Sequence, residues 1–141
     1  VFLFIIIYPN MIFITFSSVV GFIVCLILSI YLSYCIYFIM ACFAFWFGEV
    51  RSIVTAYNLG MLMISGQYIP IRLFPENILS IIQWTPIPYL VDLPVSIATG
   101  IIIGYEWIEL FLYGLIWCII LTGISFFIYR IGIKNYEAFG Q

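Results

Sequence analysis

Hydrophobic residues fill long, nearly unbroken stretches of this chain, and charged residues are confined mainly to short breaks between the stretches. Residues 12–47 contain no charged side chain, and about residues 53–70 and 107–129 form two further apolar stretches. A helix needs about 20 apolar residues to cross a bilayer, so each later stretch is predicted to be one membrane span. Residues 12–47 suit one long tilted helix or two short ones, and the lack of a turn signal favours one helix, kinked near Gly21 or Ser29.

The two ends of the chain differ in polarity. Residues 1–8 are apolar but too short to span a bilayer alone, so we expect them to be the end of a further span. The chain begins at Val1 inside this apolar run, and we expect it to be the C-terminal part of a longer protein. Residues 130–141 are polar and are predicted to form a cytoplasmic tail.

Basic residues indicate the orientation of the spans. Arg51, Arg130 and Lys134 flank the ends of two apolar stretches, whereas Arg72 alone lies on the opposite side of the predicted topology. Loops that carry an excess of Lys and Arg stay in the cytoplasm. We therefore expect Arg51 and the C-terminal tail in the cytoplasm, and residues 65–106 on the outer side of the membrane.

One long interruption, residues 65–100, holds five of the six prolines of the chain. Within it, the sequence PENILSIIQW predicts a short amphipathic helix that starts near Pro75. A second short helix is predicted from about residue 91 to residue 99, with Asp92 as its cap. These outer helices, at about 75–100, are predicted to dip into the outer leaflet rather than to form a soluble loop.

Composition supports a membrane protein and excludes other classes. Hydrophobic residues make up 67% of the 141 residues and charged residues 7%, against about 25% charged in soluble domains. With four Lys and Arg in total, the chain offers no basic patch for nucleic acid. The predicted fold is therefore all-α, a polytopic transmembrane helical bundle in a lipid bilayer with short amphipathic outer helices before the last span.

The four cysteines carry the thiol chemistry of the chain. Cys25, Cys35, Cys42 and Cys118 each lie inside an apolar run, and no two of them form a CxxC pair. They are predicted to be small side chains that face the core or the lipid, with a metal site or a disulfide as the alternative.

Polar residues recur at helical spacing in the predicted span at about 53–70. Thr55, Asn58 and Ser65 fall on one face of this helix. Since polar groups are costly against lipid, the face should look into a helix bundle or a transport pathway. Hydrogen bonding to a neighbouring helix and lining of a substrate path are the two interpretations.

Four sequence words follow one another along the chain: AFWFGEV (44–50), SGQYIPIRLFP (65–75), WTPIPYLVDLPVSIATG (84–100) and YRIGIKNYEAFG (129–140). In order and spacing, they resemble the permease subunits of bacterial ABC-2 type exporters over about residues 40–140. More narrowly, the chain resembles the ABC-2 family transporter proteins with about six spans. One departure is TPIPY (85–89), where that family often has Leu-Pro-Phe.

The resemblance implies a role as well as a fold. Such a permease dimerises with itself or with a sister permease and works with a separate ABC ATPase, which holds ATP and Mg²⁺, to export substrate. The chain would cover the end of the third span through the sixth span of one transmembrane domain in the bacterial cytoplasmic membrane. The sequence has no GxxxxGK[ST] phosphate loop, so ATP is expected on the partner chain.

The resemblance also assigns candidate site residues. The span with Thr55, Asn58 and Ser65 would match the fifth span, which helps to line the pathway in related exporters. The short outer helices would gate release, and their candidate gate residues are Pro70, Phe74, Pro75, Trp84, Pro88 and Pro94. No catalytic, cofactor-binding or metal-binding residue is predicted on this chain.

Two other classes of protein compete with the permease. A membrane enzyme would have to use the acids Glu49, Asp92, Glu106 and Glu109, but the chain has no His and no residue pattern that supports catalysis. The alternative function is that of a structural or assembly membrane subunit without transport of its own.

Overall fold

A computed structural model describes residues 16–47, 49–64, 75–102 and 104–138 of the chain. In these ranges all regular secondary structure is helical. The predicted end of a span at 1–8 lies outside the described residues, as do the candidate site residues Ser65, Pro70 and Phe74. The helices are α1 (Phe16–Cys42), α2 (Ala44–Phe47), α3 (Arg51–Ile64), α4 (Glu76–Gln83), α5 (Ile87–Leu90), α6 (Asp92–Ala98) and α7 (Glu106–Ala138).

Among the described residues, two helical stretches are long and apolar enough to cross a membrane, Phe16–Phe47 and Glu106–Lys134. Large apolar side chains on them face outward: Ile27 is 62% exposed and Ile119 is 74% exposed. A soluble protein would bury such residues, whereas lipid solvates them. The predicted class, an all-α membrane protein, is therefore confirmed.

Helices α1 and α7 run side by side in the same direction. Near their first turns, the Trp107 indole Nε1–H donates to Ser17 Oγ at 3.3 Å. Towards their other ends, the rings of Phe38 and Tyr129 lie 5.8 Å apart. Two spans that run in the same direction need a segment that returns between them, and the predicted topology assigns that return to the span at about 53–70.

Glycines on α1 and α7 make room for large side chains of the facing helix. A Cβ on Gly21 would lie 2.8 Å from Cδ2 of the Trp107 indole. Close approach at small residues is how helices associate in membranes. Gly114 is covered in the same way, whereas no described atom lies within 4 Å of a Cβ built on Gly123. The covered glycines and their neighbours are Gly21 with Trp107, Gly114 with Leu28, and Gly132 with Phe45.

Helical structure in the first span continues through Gly21 and Ser29, where the sequence suggested a kink, and is interrupted by a turn at Phe43. Gly21 and Ser29 are both buried, Gly21 against Trp107 and Ser29 against Leu90. Helix α7 continues through the predicted tail to Ala138, because no proline interrupts it.

The buried core lies between α1, α7 and the short helices α5 and α6. Helix α1 contributes residues at spacings of three and four, the pattern of one helix face. All four cysteines are buried and free, as expected for small core-facing side chains. The core residues are Cys25, Leu28, Leu32, Cys35, Tyr89, Leu90, Leu93, Ile97, Cys118 and Leu121.

We predict that Gly21→Ala destabilises the protein and that Gly123→Ala does not. The new methyl at position 21 meets the Trp107 ring, and overpacking of this kind costs about 1–3 kcal/mol, more than the gain in helix propensity of up to about 1 kcal/mol. At Gly123 only the propensity gain acts. The measurement is thermal unfolding of the purified protein in detergent. A lower midpoint for Gly123→Ala, or an unchanged one for Gly21→Ala, would contradict the packing described here.

Candidate functional site

Residues 75–100, which comprise α4, α5, α6 and their connections, form a hairpin that reaches deep between the spans. Its tip lies at Leu90 and Val91, against Ser29 of α1. Ser29 is the middle residue of α1, which has 27 residues, and therefore lies about 20 Å from either end of that helix. The hairpin thus extends to about half the length of the first span, which is deeper than a surface loop.

A hydrogen bond from Ser29 holds the tip of the hairpin. In a helix, the Leu90 carbonyl would accept from the N–H of residue 94, but Pro94 has no N–H. The backbone also breaks at Val91, with φ −133° and ψ −50°. The Ser29 hydroxyl donates to the Leu90 carbonyl in a buried contact. This bond supplies the missing donor at a depth where water does not.

The ends of the short helices agree only partly with the sequence prediction. Helix α4 has Pro75 at its N-cap and Glu76 in its first turn, where a carboxylate suits the helix dipole. The prediction that Asp92 caps the next helix is wrong, because Val91 occupies the cap and Asp92 is the first helical residue. The sequence analysis also missed α5, which begins immediately after Pro86.

A groove of about 850 Å³ lies between the hairpin and the N-terminal half of α7. Its walls are mostly apolar and aromatic, with a few polar groups among them. This size and composition are typical of sites that bind small molecules. The hairpin contributes Trp84, Tyr89 and Ser96, and α7 contributes Tyr113, Trp117 and Ile120.

The described candidate gate residues fall into three environments. Trp84 and Pro88 line the groove. Pro94 is buried at the tip of the hairpin, and Pro75 is exposed at the start of α4. The structure thus brings two of the predicted gate residues to one cavity, and their gating role stays a prediction.

The candidate pathway residues lie on α3 and do not line the groove. Thr55 Oγ1 donates to the Arg51 carbonyl of its own helix at 2.9 Å. Asn58 Oδ1 accepts from the Tyr37 hydroxyl of α1 at 2.6 Å. The Tyr37 ring also meets the Tyr57 ring edge to face, with centroids 5.8 Å apart. Asn58 therefore links two helices in this structure, and both candidate residues are exposed.

Sequence reasoning did not consider Ser96 and did not identify the partner of Ser29. Ser29 was expected to mark a kink or to bond a neighbouring helix or backbone carbonyl, and the structure shows that its partner is the Leu90 carbonyl. The signal for Ser29 was indirect: Pro94 leaves the carbonyl of residue 90 without its helical donor, so a donor must come from elsewhere. Within the described ranges, no three residues among His, Cys, Asp and Glu are grouped as a metal site.

Long apolar spans with a hairpin inserted between them define a helical integral membrane protein. The chain belongs to the ABC-2 family transporter proteins, whose family model matches residues 1–140. The resemblance seen in the sequence words is thereby confirmed, and it makes the chain a membrane permease component of a transporter. Searches of curated proteins and of solved structures gave no significant match.

We predict that Ser29→Ala loosens the hairpin. The Leu90 carbonyl would lose its donor at membrane depth, at a cost of about 1–3 kcal/mol. Amide hydrogen exchange over residues 84–100, measured on the protein in lipid nanodiscs, should become faster. The matched control is Ser125→Ala, because Ser125 donates to the Leu121 carbonyl within its own helix. Equal exchange in both variants and the wild type would show that the Ser29 bond does not hold the hairpin.

Proposed function

We propose that the chain is a multi-pass permease subunit of an ATP-driven ABC-2 exporter in the bacterial cytoplasmic membrane. The observation that carries this proposal is the family match over residues 1–140. It is supported by the hairpin, which reaches between the spans and forms a groove with α7. No comparable observation favours the alternative function, a structural subunit without transport of its own.

The energy for transport would come from another chain. The sequence carries no GxxxxGK[ST] loop, so ATP and Mg²⁺ would bind a separate ABC ATPase subunit. A second copy of the permease, or a sister permease, would complete the transmembrane part. ATP binding and hydrolysis would then shift the permease pair between two conformations with alternating access.

In this scheme the hairpin forms the outer gate and α3 contributes to the pathway. Trp84 and Pro88 stand in the groove wall, where a shift of the hairpin against α7 would change access. Thr55 and Asn58 are exposed on α3. Polar side chains in a span face a bundle interior or a water-filled path, so their exposure favours the path.

Association with an ATPase is the first testable prediction. We expect the full-length parent, purified from native membranes in mild detergent, to bring down one ABC ATPase in stoichiometric amount. We expect ATP hydrolysis in the isolated complex and none in the permease alone. Repeated crosslinked preparations that contain no ATPase would contradict ATP-driven export and favour the structural subunit.

A second prediction concerns the pathway residues. Thr55→Cys and Asn58→Cys should react with a membrane-impermeant maleimide several times faster than Leu59→Cys, because water reaches a pathway and not a lipid-facing side chain. Leu59 is a matched control, since it lies on the same helix and is 60% exposed. The native cysteines that the spans carry are buried and should label slowly. Equally slow labelling at all three positions would remove α3 from the pathway.

A further inference from the structure

One buried hydroxyl beside the groove has no hydrogen-bond partner among the described residues. Ser96 is only 2% exposed and lines the groove. Among the described residues, three polar side chains are buried, and the other two, Ser29 and Ser125, each donate to a carbonyl. No hydrogen bond joins the Ser96 hydroxyl to another of the described residues; its backbone carbonyl accepts from Thr99 Oγ1 at 3.4 Å. Buried polar groups are normally bonded, so an exception of this kind calls for a partner from outside the chain.

A second hydroxyl without a hydrogen bond to the described residues belongs to Tyr89, which lines the same groove. Tyr89 is 8% exposed, and its backbone N–H donates to the Pro86 carbonyl at 3.2 Å. A buried tyrosine usually finds a partner for its hydroxyl. Ser96 and Tyr89 come from α6 and α5, so two helices direct unused hydrogen-bonding groups to one cavity.

The opposite wall of the groove is elongated and mostly apolar, with Tyr113 as its polar residue. Ile116 and Ile120 lie one turn apart on α7, and Trp117 lies beside them. Along α7, the wall extends from Leu110 to Ile120, which corresponds to about 15 Å. Ile116 is 53% exposed, so the groove opens to the side of the helix pair, at a depth where the surroundings are hydrocarbon.

The charges of the groove walls restrict which polar group a ligand can carry. Among the described residues that line the groove, none is basic, so none of these side chains would neutralise an anionic group. Hydroxyls both donate and accept hydrogen bonds. The polar groups of the groove therefore suit an uncharged group that donates and accepts hydrogen bonds.

We propose that the groove is a binding site for a single amphipathic molecule with an uncharged hydrogen-bonding head. The head bonds to Ser96 and Tyr89, and the apolar body lies along Ile116, Trp117 and Ile120. The molecule enters sideways from the membrane. This site goes beyond the proposed export function, because binding needs neither ATP nor the ATPase.

Binding is measured with a bromine-labelled probe on the full-length parent in lipid nanodiscs. The probe is ω-bromoundecanol, which has a hydroxyl head and a bromine atom that quenches tryptophan fluorescence on contact. The signal is the part of the quenching that disappears in Trp117→Phe. We expect it to saturate with probe concentration. The matched probes, bromoundecane without a head and ω-bromoundecanoate with an anionic head, should bind more weakly.

Two variants test the hydroxyls directly. Ser96→Ala and Tyr89→Phe should each raise the half-saturating concentration of ω-bromoundecanol about three- to tenfold, which is the effect of one lost hydrogen bond. Ser125→Ala should leave it unchanged, because Ser125 bonds within its own helix. Melting temperatures of the variants confirm that each is folded.

Three outcomes would contradict the proposed binding site. Quenching that rises linearly with probe and is equal in Ser96→Ala indicates ordinary partition into the bilayer. Absence of Trp117 quenching indicates that another protein segment fills the groove in the full-length chain. Equal binding of bromoundecane and ω-bromoundecanol removes the role of the hydroxyls. None of these outcomes affects co-purification with an ATPase, so failure of the site and failure of the proposed function are distinguishable.

Discussion

The structure depends on one constraint: a carbonyl at the middle of a membrane protein needs a hydrogen-bond donor. Pro94 removes the donor that the Leu90 carbonyl would have in a continuous helix. Ser29 replaces it from α1. This single bond joins residues that are 61 positions apart in the chain, and it sets how far the hairpin enters between the spans. Pro94 in the hairpin and Ser29 in α1 therefore depend on each other, because the proline removes a donor and the serine supplies one.

The groove lies where the packing of α1 against α7 meets the packing of the hairpin. Glycines let α1 and α7 approach along their length, with Trp107 lying against Gly21. The hairpin packs against both of these helices. Its tip is held at Ser29, while Trp84 remains 84% exposed. Aromatic side chains line the groove on both walls, Trp84 and Tyr89 from the hairpin and Tyr113 and Trp117 from α7.

Local sequence signals predicted the helices well and the contacts poorly. Span positions follow from hydrophobic length, and the start of α4 follows from Pro75, because both depend on neighbouring residues only. Neighbouring residues do not show which glycine is covered. Gly114 differs from Gly123 because Leu28 of another helix lies against it. The same holds for Asn58, whose partner Tyr37 is 21 positions away. Residues of the groove come from four helices that no local pattern connects.

Three serines of this chain show how environment decides the use of one functional group. Ser125 donates to its own helix and adds no long-range contact. Ser29 meets a carbonyl that lacks a donor, so it fixes the position of the hairpin. Ser96 is buried beside a cavity, and its hydroxyl has no hydrogen-bond partner among the described residues. Water is scarce at this depth, and the free energy of an unpaired hydroxyl is lowered most by a guest molecule that carries its own polar group. The Ser96 hydroxyl therefore favours the binding of an amphiphile.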